Sequence, residues 1–132
     1  MNILPSKKVA ASFVLGLQKG YTKHRLTKQD VILALQKEQE QLIHAKGLYL
    51  SAAVSNCDIV LSGQVEPSVK LEFINYPKFP LSEQEFKAGV LHLAKQLLKT
   101  LEQNRTVVVF DDEMLMLEET DIIDPQITIK DE

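Results

Sequence analysis

The order in which strand-like and helix-like patterns alternate constrains this chain more than any other feature. Strand-like segments occupy residues 9–17, 48–62, 69–73 and 106–110, and two segments with helical apolar spacing lie between them. The order is strand, helix, strand, strand, helix, strand. Because crossovers between parallel strands are right-handed, both helices fall on one face of the sheet. The sequence therefore predicts an α+β fold, a ferredoxin-like βαββαβ sandwich with an antiparallel sheet and two helices on one face.

Both predicted helices begin at residues that cap helices well. Thr27 precedes the first helix, Asp30 is an acidic residue in its first turn, and Gly47 suits its C-terminal end. Ser82 and Glu85 have the spacing of a capping box at the start of the second helix. Its apolar residues then recur every three or four positions for about twenty residues, which makes it the most strongly indicated element.

The second strand is the least regular. Its apolar residues change from one face to the other near Ser55 and Asn56, which indicates a β-bulge, with a tight turn over residues 55–58 as the alternative. Residues 63–68 have the composition of a turn. Residues 69–73 then alternate cleanly between apolar and charged side chains, which predicts a strand with one buried and one wet face.

The C-terminal region predicts additional structure beside the sheet. Residues 106–110 fall at a sheet edge in this topology, yet they are more apolar than an edge strand should be. We therefore expect a C-terminal arm or edge strand at residues 114–117, or another subunit, to cover them. We assign residues 1–118 to a single domain and residues 119–132 to an acidic, partly flexible arm.

Composition and charge limit the classes of partner. Hydrophobic residues are 45% and charged residues 25% of the chain, which are ordinary globular values, and no apolar run approaches the roughly 20 residues of a membrane helix. Only two of the fifteen basic residues are arginines and there is no tryptophan, so we expect no nucleic-acid binding. The single cysteine, Cys57, excludes an internal disulfide and indicates a cytoplasmic protein.

The loop after the first strand holds most of the candidate ligand-binding residues. Tyr21 can stack or donate a hydrogen bond, His24 titrates near neutrality, and Arg25 can pair with a carboxylate or phosphate. No glycine-rich phosphate-binding pattern accompanies them, so an exposed polar loop is the alternative interpretation. Tyr76 is the fourth candidate, because together with Phe79 it forms a potential aromatic ledge at the sheet end.

No pattern predicts a metal or a cofactor. Asp111 and Glu113 can share one side of a strand, but no EF-hand spacing follows them. Neither His44 nor His92 has a partner at zinc-motif spacing. Cys57 adjoins Asp58, a neighbour that opposes the thiolate required of a nucleophile.

These observations favour a non-enzymatic protein that self-associates and binds a partner protein or a small molecule. Self-association into a dimer or trimer is expected because the sheet leaves one face without helices. The alternative is a small enzyme of the ferredoxin-like or dimeric α+β barrel kind, with a site near His24, Arg25 and Tyr76. A third hypothesis is an acidic partner that engages a basic protein through residues 111–132.

Overall fold

Two helices pack on a five-stranded antiparallel sheet, which confirms the predicted fold class. A computed structural model describes residues 1–18 and 25–119 of the 132-residue chain. The strand order is β2-β3-β1-β4-β5. The elements are β1 (Ala10–Gly16), α1 (Lys28–Lys46), β2 (Ala52–Leu61), β3 (Gln64–Ile74), α2 (Glu83–Thr100), β4 (Arg105–Phe110) and β5 (Met114–Glu118). Within these ranges no helix has both the length and the apolar character to cross a membrane.

The helices begin where the capping residues predict. The Thr27 hydroxyl accepts a hydrogen bond from the Asp30 amide at 3.2 Å, and the Asp30 carboxylate accepts one from the Thr27 amide at 2.8 Å. Ser82 and Glu85 make the same reciprocal pair at α2. Each pair satisfies amide groups that have no partner inside the helix. Gly47 ends α1 in the left-handed conformation, with φ of 65°.

The core lies between the sheet and the helices. Alternate residues of the central strands point into it, including Phe13 of β1 and Phe73 of β3, whose ring centroids are 5.6 Å apart. Burying each such side chain stabilises the fold by about 1.5–3 kcal/mol. One polar residue interrupts the apolar stripe of α1. Glu38 is only 6% exposed, and its Oε2 atom has no hydrogen-bond partner among the described residues.

The β2–β3 hairpin differs from the prediction. Pairing is continuous from Ala52 opposite Phe73 to Leu61 opposite Gln64, so both the bulge near Ser55 and the alternative tight turn there are wrong. The reason is burial, because residues 58–61 of β2 and 64–67 of β3 are all exposed, so neither face of this part of the hairpin joins the core. Apolar residues therefore occur on both faces without any change of register. They are Ile59, Val60, Leu61 and Val65, and all are exposed.

The turn of this hairpin is also shorter than predicted. Only Ser62 and Gly63 separate the strands, and Ser62 adopts a positive φ of 53°. The expected turn over residues 63–68 is therefore wrong, and β3 already begins at Gln64. Pro67 is accommodated because it lies opposite Asp58 on the exposed part of the hairpin, and its carbonyl accepts a hydrogen bond from Leu17 of the neighbouring chain segment.

The fifth strand covers β4, as predicted for residues 114–117. Leu115 and Leu117 pack against the core, whereas Met114 and Met116 lie on the sheet face that carries no helices. On that bare face Met114 is paired with Val109 and Met116 with Val107, and all four side chains are at least 40% exposed. Of the predicted acidic arm only Glu119 is described, and the rest lies outside the described residues.

Candidate functional site

Of the four predicted ligand-binding residues, the structure describes Arg25 and Tyr76, and it does not bring these two together. Tyr21 and His24 lie outside the described residues. Arg25 pairs with Gln18 just beyond the C-terminal end of β1. Tyr76 follows the C-terminal end of β3, and β3 runs antiparallel to β1, so Tyr76 lies at the opposite end of the sheet from Arg25.

At the end of β1, a glutamate takes the space that a side chain would need. Gly16 is the last residue of β1, and a Cβ atom there would overlap the Oε1 atom of Glu66 and lie 3.6 Å from Oε1 of Gln103. A glycine in a strand often marks such a close approach. The Glu66 side chain is exposed, and the structure gives its carboxylate no hydrogen bond or ion pair among the described residues. We give the name exit cluster to the residues at the point where the chain leaves β1, which are Gly16, Gln18, Arg25, Glu66 and Gln103.

Hydrogen bonds hold the backbone of the exit cluster in place. The buried side-chain amide of Gln103 donates to the Gln18 carbonyl at 2.8 Å and to the Leu101 carbonyl at 3.3 Å. The Leu26 amide donates to the Leu17 carbonyl at 2.8 Å, which brings the chain back beside the end of β1. Arg25 therefore returns to the same end of the sheet as Glu66, and the two residues carry opposite charges. This arrangement suits a ligand that carries both an anionic and a cationic group.

Aromatic side chains gather at the other end of the sheet. The ring of Phe79 stacks on Tyr49 with centroids 5.8 Å apart and on Tyr76 with centroids 6.2 Å apart. The predicted contact between Tyr76 and Phe79 is thus present, and Tyr49 extends it. These rings line a cavity of about 540 Å³ that α1 closes on its other side. We call this cavity the aromatic groove.

A further set of charged residues lies beside the N-terminal segment and links this segment to α2. Lys87 of α2 donates to the Asp112 carboxylate at 2.8 Å, and Lys7 pairs with Glu83. The hydrogen bond from Lys87 lowers the pKa of Asp112, and the same bond raises the pKa of Lys87. Each of these charged side chains is paired with another one of the set. The set therefore holds the chain end in place and does not indicate a ligand site.

Metal binding has no support in the described ranges. No group of three or more His, Cys, Asp or Glu side chains there is arranged to hold an ion. Cys57 is half-buried and free.

Sequence reasoning missed four of the five members of the exit cluster, namely Gly16, Gln18, Glu66 and Gln103. Gly16 appeared only as part of an apolar run, and Glu66 fell within the expected turn. The useful signal was the glycine itself, since a glycine inside a buried strand weakens the strand unless something approaches it. Gln103 carried no signal, because its role depends on the Gln18 carbonyl, 85 residues away along the chain.

Comparison with solved structures relates this fold to an enzyme. The chain is similar to a phage SAM lyase solved in complex with S-methyl-5'-thioadenosine, with a TM-score of 0.65 and 22% identity over 90% of this chain and 95% of the other. It is also similar to a phage SAM lyase in the apo state, with a TM-score of 0.69 and 20% identity over 91% and 96% of the two chains. No protein-family model matches the sequence, and no curated protein sequence does.

These similarities overturn the expectation of a non-enzymatic binding protein. The fold shared over nine-tenths of the chain is one that an enzyme uses, so the comparison favours the alternative prediction of a small enzyme. The expectation failed because it rested on the absence of a convergent catalytic set in the sequence, and residues far apart in sequence can still meet in the fold. The residues of the exit cluster converge only through strand pairing.

Proposed function

We propose that this protein is an enzyme that cleaves S-adenosylmethionine and releases S-methyl-5'-thioadenosine. The observation that carries the proposal is the shared fold, which extends over 90% of this chain and 95% of a phage SAM lyase bound to that nucleoside. The exit cluster adds independent support, because Arg25 and Glu66 carry charges opposite to those of the carboxylate and ammonium groups of the substrate.

The chemistry follows from the bonds that the product retains. S-methyl-5'-thioadenosine keeps the methyl and adenosyl groups on sulfur, so the broken bond joins sulfur to the four-carbon amino-acid part. The electron pair of that bond goes to sulfur and neutralises its positive charge, so the leaving group needs no proton. A lyase adds no water. The four-carbon fragment therefore either closes a ring through its own carboxylate oxygen or loses a proton from carbon to form a double bond.

We assign the exit cluster to the amino-acid part of the substrate. Arg25 would pair with the substrate carboxylate, since a guanidinium forms two parallel hydrogen bonds to such a group. Glu66 would accept from the substrate ammonium group and, if the fragment forms a double bond, would take the proton from carbon. Tyr21 and His24 precede Arg25 in the sequence and remain proposed ligand contacts.

Product analysis tests this proposal. The purified protein is incubated with S-adenosylmethionine, and mass spectrometry follows both products. We expect S-methyl-5'-thioadenosine together with a four-carbon fragment lighter than homoserine by one water. Homoserine formed directly would make the enzyme a hydrolase, and no cleavage at all would refute the proposal.

A matched pair of variants tests the role of Glu66. Glu66→Gln keeps the shape and removes the charge, and we expect the rate to fall by about a hundredfold or more, within the range for loss of acid–base catalysis. Glu113→Gln makes the same change at the far end of the sheet, beside Lys87, and should leave the rate within about twofold of wild type. Equal rates in the two variants would exclude Glu66 from the reaction.

We also propose that copies of the chain associate through the bare sheet face. Exposed apolar side chains on β4 and β5 support this, with Met114 69% and Met116 61% exposed. Light scattering after size-exclusion chromatography should give the mass of a dimer or trimer, and Met116→Glu should reduce it. A monomeric wild-type protein would contradict self-association and direct attention to a protein partner.

A cytoplasmic location is likewise proposed, consistent with the free Cys57, and cell fractionation tests it.

A further inference from the structure

The aromatic groove is a cavity at a distance from the exit cluster. It lies at the Tyr76 end of the sheet, between α1 and the segment that enters β2. Its volume of about 540 Å³ falls in the range of small-molecule sites. It is lined by Gln36, Gln39, Glu40, Ile43, Tyr49, Leu50, Ser51, Tyr76 and Phe79.

One wall of the groove consists of three aromatic rings. Tyr49, Tyr76 and Phe79 are 53%, 47% and 49% exposed, although the chain has only five phenylalanines and three tyrosines. Both neighbouring ring pairs have planes within 26° of each other, so the three rings run roughly parallel along one side of the groove. A wall of this kind fits a flat heterocycle, which stacks on aromatic faces.

The opposite wall is polar and carries a single charge. Gln36 and Glu40 are one turn apart on α1 and so share a face of the helix, where they offer amide donors and carboxylate acceptors. Gln39 is held against the groove by a 2.8 Å hydrogen bond to the Leu50 carbonyl. Glu40 is the one charged residue in the lining, which contains no lysine or arginine. The lining therefore lacks the cations that phosphate recognition uses.

We propose that the aromatic groove binds a purine nucleoside without a phosphate group, at a site separate from the exit cluster. The base stacks on the wall formed by Tyr49, Phe79 and Tyr76, and its polar edge faces Gln36 and Glu40. Amide and carboxylate side chains recognise the donor and acceptor edges of purines. Nucleoside binding in the groove is independent of the proposed reaction, because it depends only on the rings, the charge and the size of the groove.

Calorimetric titration with adenosine, guanosine and their 5'-monophosphates tests this assignment. We expect one of the two nucleosides to bind, and the monophosphate of that same nucleoside to bind at least tenfold more weakly because Glu40 repels its charge. The identity of the preferred nucleoside distinguishes an adenine from a guanine site. No binding of either nucleoside, or equal binding of the monophosphate, would overturn the proposal.

Variants locate the binding. Tyr49→Leu and Phe79→Leu should each raise the dissociation constant at least tenfold, which corresponds to about 1.4 kcal/mol. Glu40→Lys should reverse the discrimination against the monophosphate. Leu33→Ala, which truncates an exposed residue of α1 outside the groove, is the control and should bind as the wild type does. Circular dichroism establishes that each variant is folded.

The outcome separates this proposal from the proposed function. Nucleoside binding that persists in Glu66→Gln and is lost in Tyr49→Leu would support the groove even if the protein never cleaves S-adenosylmethionine. Binding that is lost in Glu66→Gln and unchanged in both Tyr49→Leu and Phe79→Leu would overturn the groove and assign the nucleoside to the exit cluster.

Discussion

The two ends of the sheet use opposite means to present chemical groups. At the exit cluster a side chain is left out, since Gly16 makes room for the Glu66 carboxylate, and buried hydrogen bonds from Gln103 hold the chain. At the aromatic groove, exposed rings form part of the surface, and Leu50, which also lines the groove, belongs to the hydrophobic core. The first end thus depends on open space and polar contacts, and the second depends on packing.

The largest effect on stability should come from the end that depends on packing. Leu50 is 6% exposed and part of the core, so Leu50→Ala should lower the free energy of unfolding by about 2–5 kcal/mol. Chemical denaturation measures this loss. Gln103→Ala at the exit cluster removes two hydrogen bonds and should cost less, about 1–3 kcal/mol. A larger loss for Gln103→Ala would contradict the contrast between the two ends.

The largest effect on activity should come from the exit cluster. Gly16→Ala places a methyl group where the Glu66 carboxylate lies, and Glu66 can move because its side chain is exposed. We expect the fold to be retained and S-adenosylmethionine cleavage to fall about a hundredfold, or about 2.7 kcal/mol, since small displacements of catalytic groups have such costs. Gly63→Ala is the control, because its Cβ meets open space. Equal activity in the two variants would show that the carboxylate position is unimportant.

A smaller effect, of opposite sign, should come from α1, which forms one wall of the aromatic groove. Glu38 is buried, and one of its carboxylate oxygens has no partner among the described residues. Glu38→Met keeps the side-chain length and removes this desolvation cost, so the free energy of unfolding should rise by about 1–3 kcal/mol. Denaturation midpoints of the variant and wild type give the difference. A destabilised variant would mean that the carboxylate has a stabilising role.

The smallest effect should come from the exposed ion pair beside the N-terminal segment. Lys87 lowers the pKa of Asp112 below its ordinary value of 3.8, so the stabilisation that Asp112 contributes is present above pH 3.8 and is lost as pH falls through the lowered pKa. In Lys87→Gln the pKa of Asp112, followed by NMR titration, should return towards 3.8. An unchanged titration would show that Lys87 does not contact Asp112 in solution.

Local signals in the sequence predicted the helices and the order of the elements correctly. A helix cap is formed by residues three positions apart, such as Thr27 with Asp30 and Ser82 with Glu85, so its residues are visible in a short segment. The apolar excess at residues 106–110 likewise predicted that an arm, an edge strand or another subunit covers them, and β5 is that edge strand. Composition alone is sufficient here, because an apolar edge strand needs a cover.

What only the tertiary structure decided are the contacts between distant segments. Nothing near Gly16 in sequence reveals that Glu66 will lie over it, because that contact follows from the register between β1 and β3. The incorrect prediction of a bulge near Ser55 also came from a missing tertiary contact. The alternation of apolar and polar residues reveals the register of a strand only where one face of the sheet is buried. Propensity and capping act over a few residues, whereas register, burial and the grouping of site residues depend on how the whole chain packs. The sequence by itself therefore determined the elements and their order, and the tertiary structure determined which side chains meet.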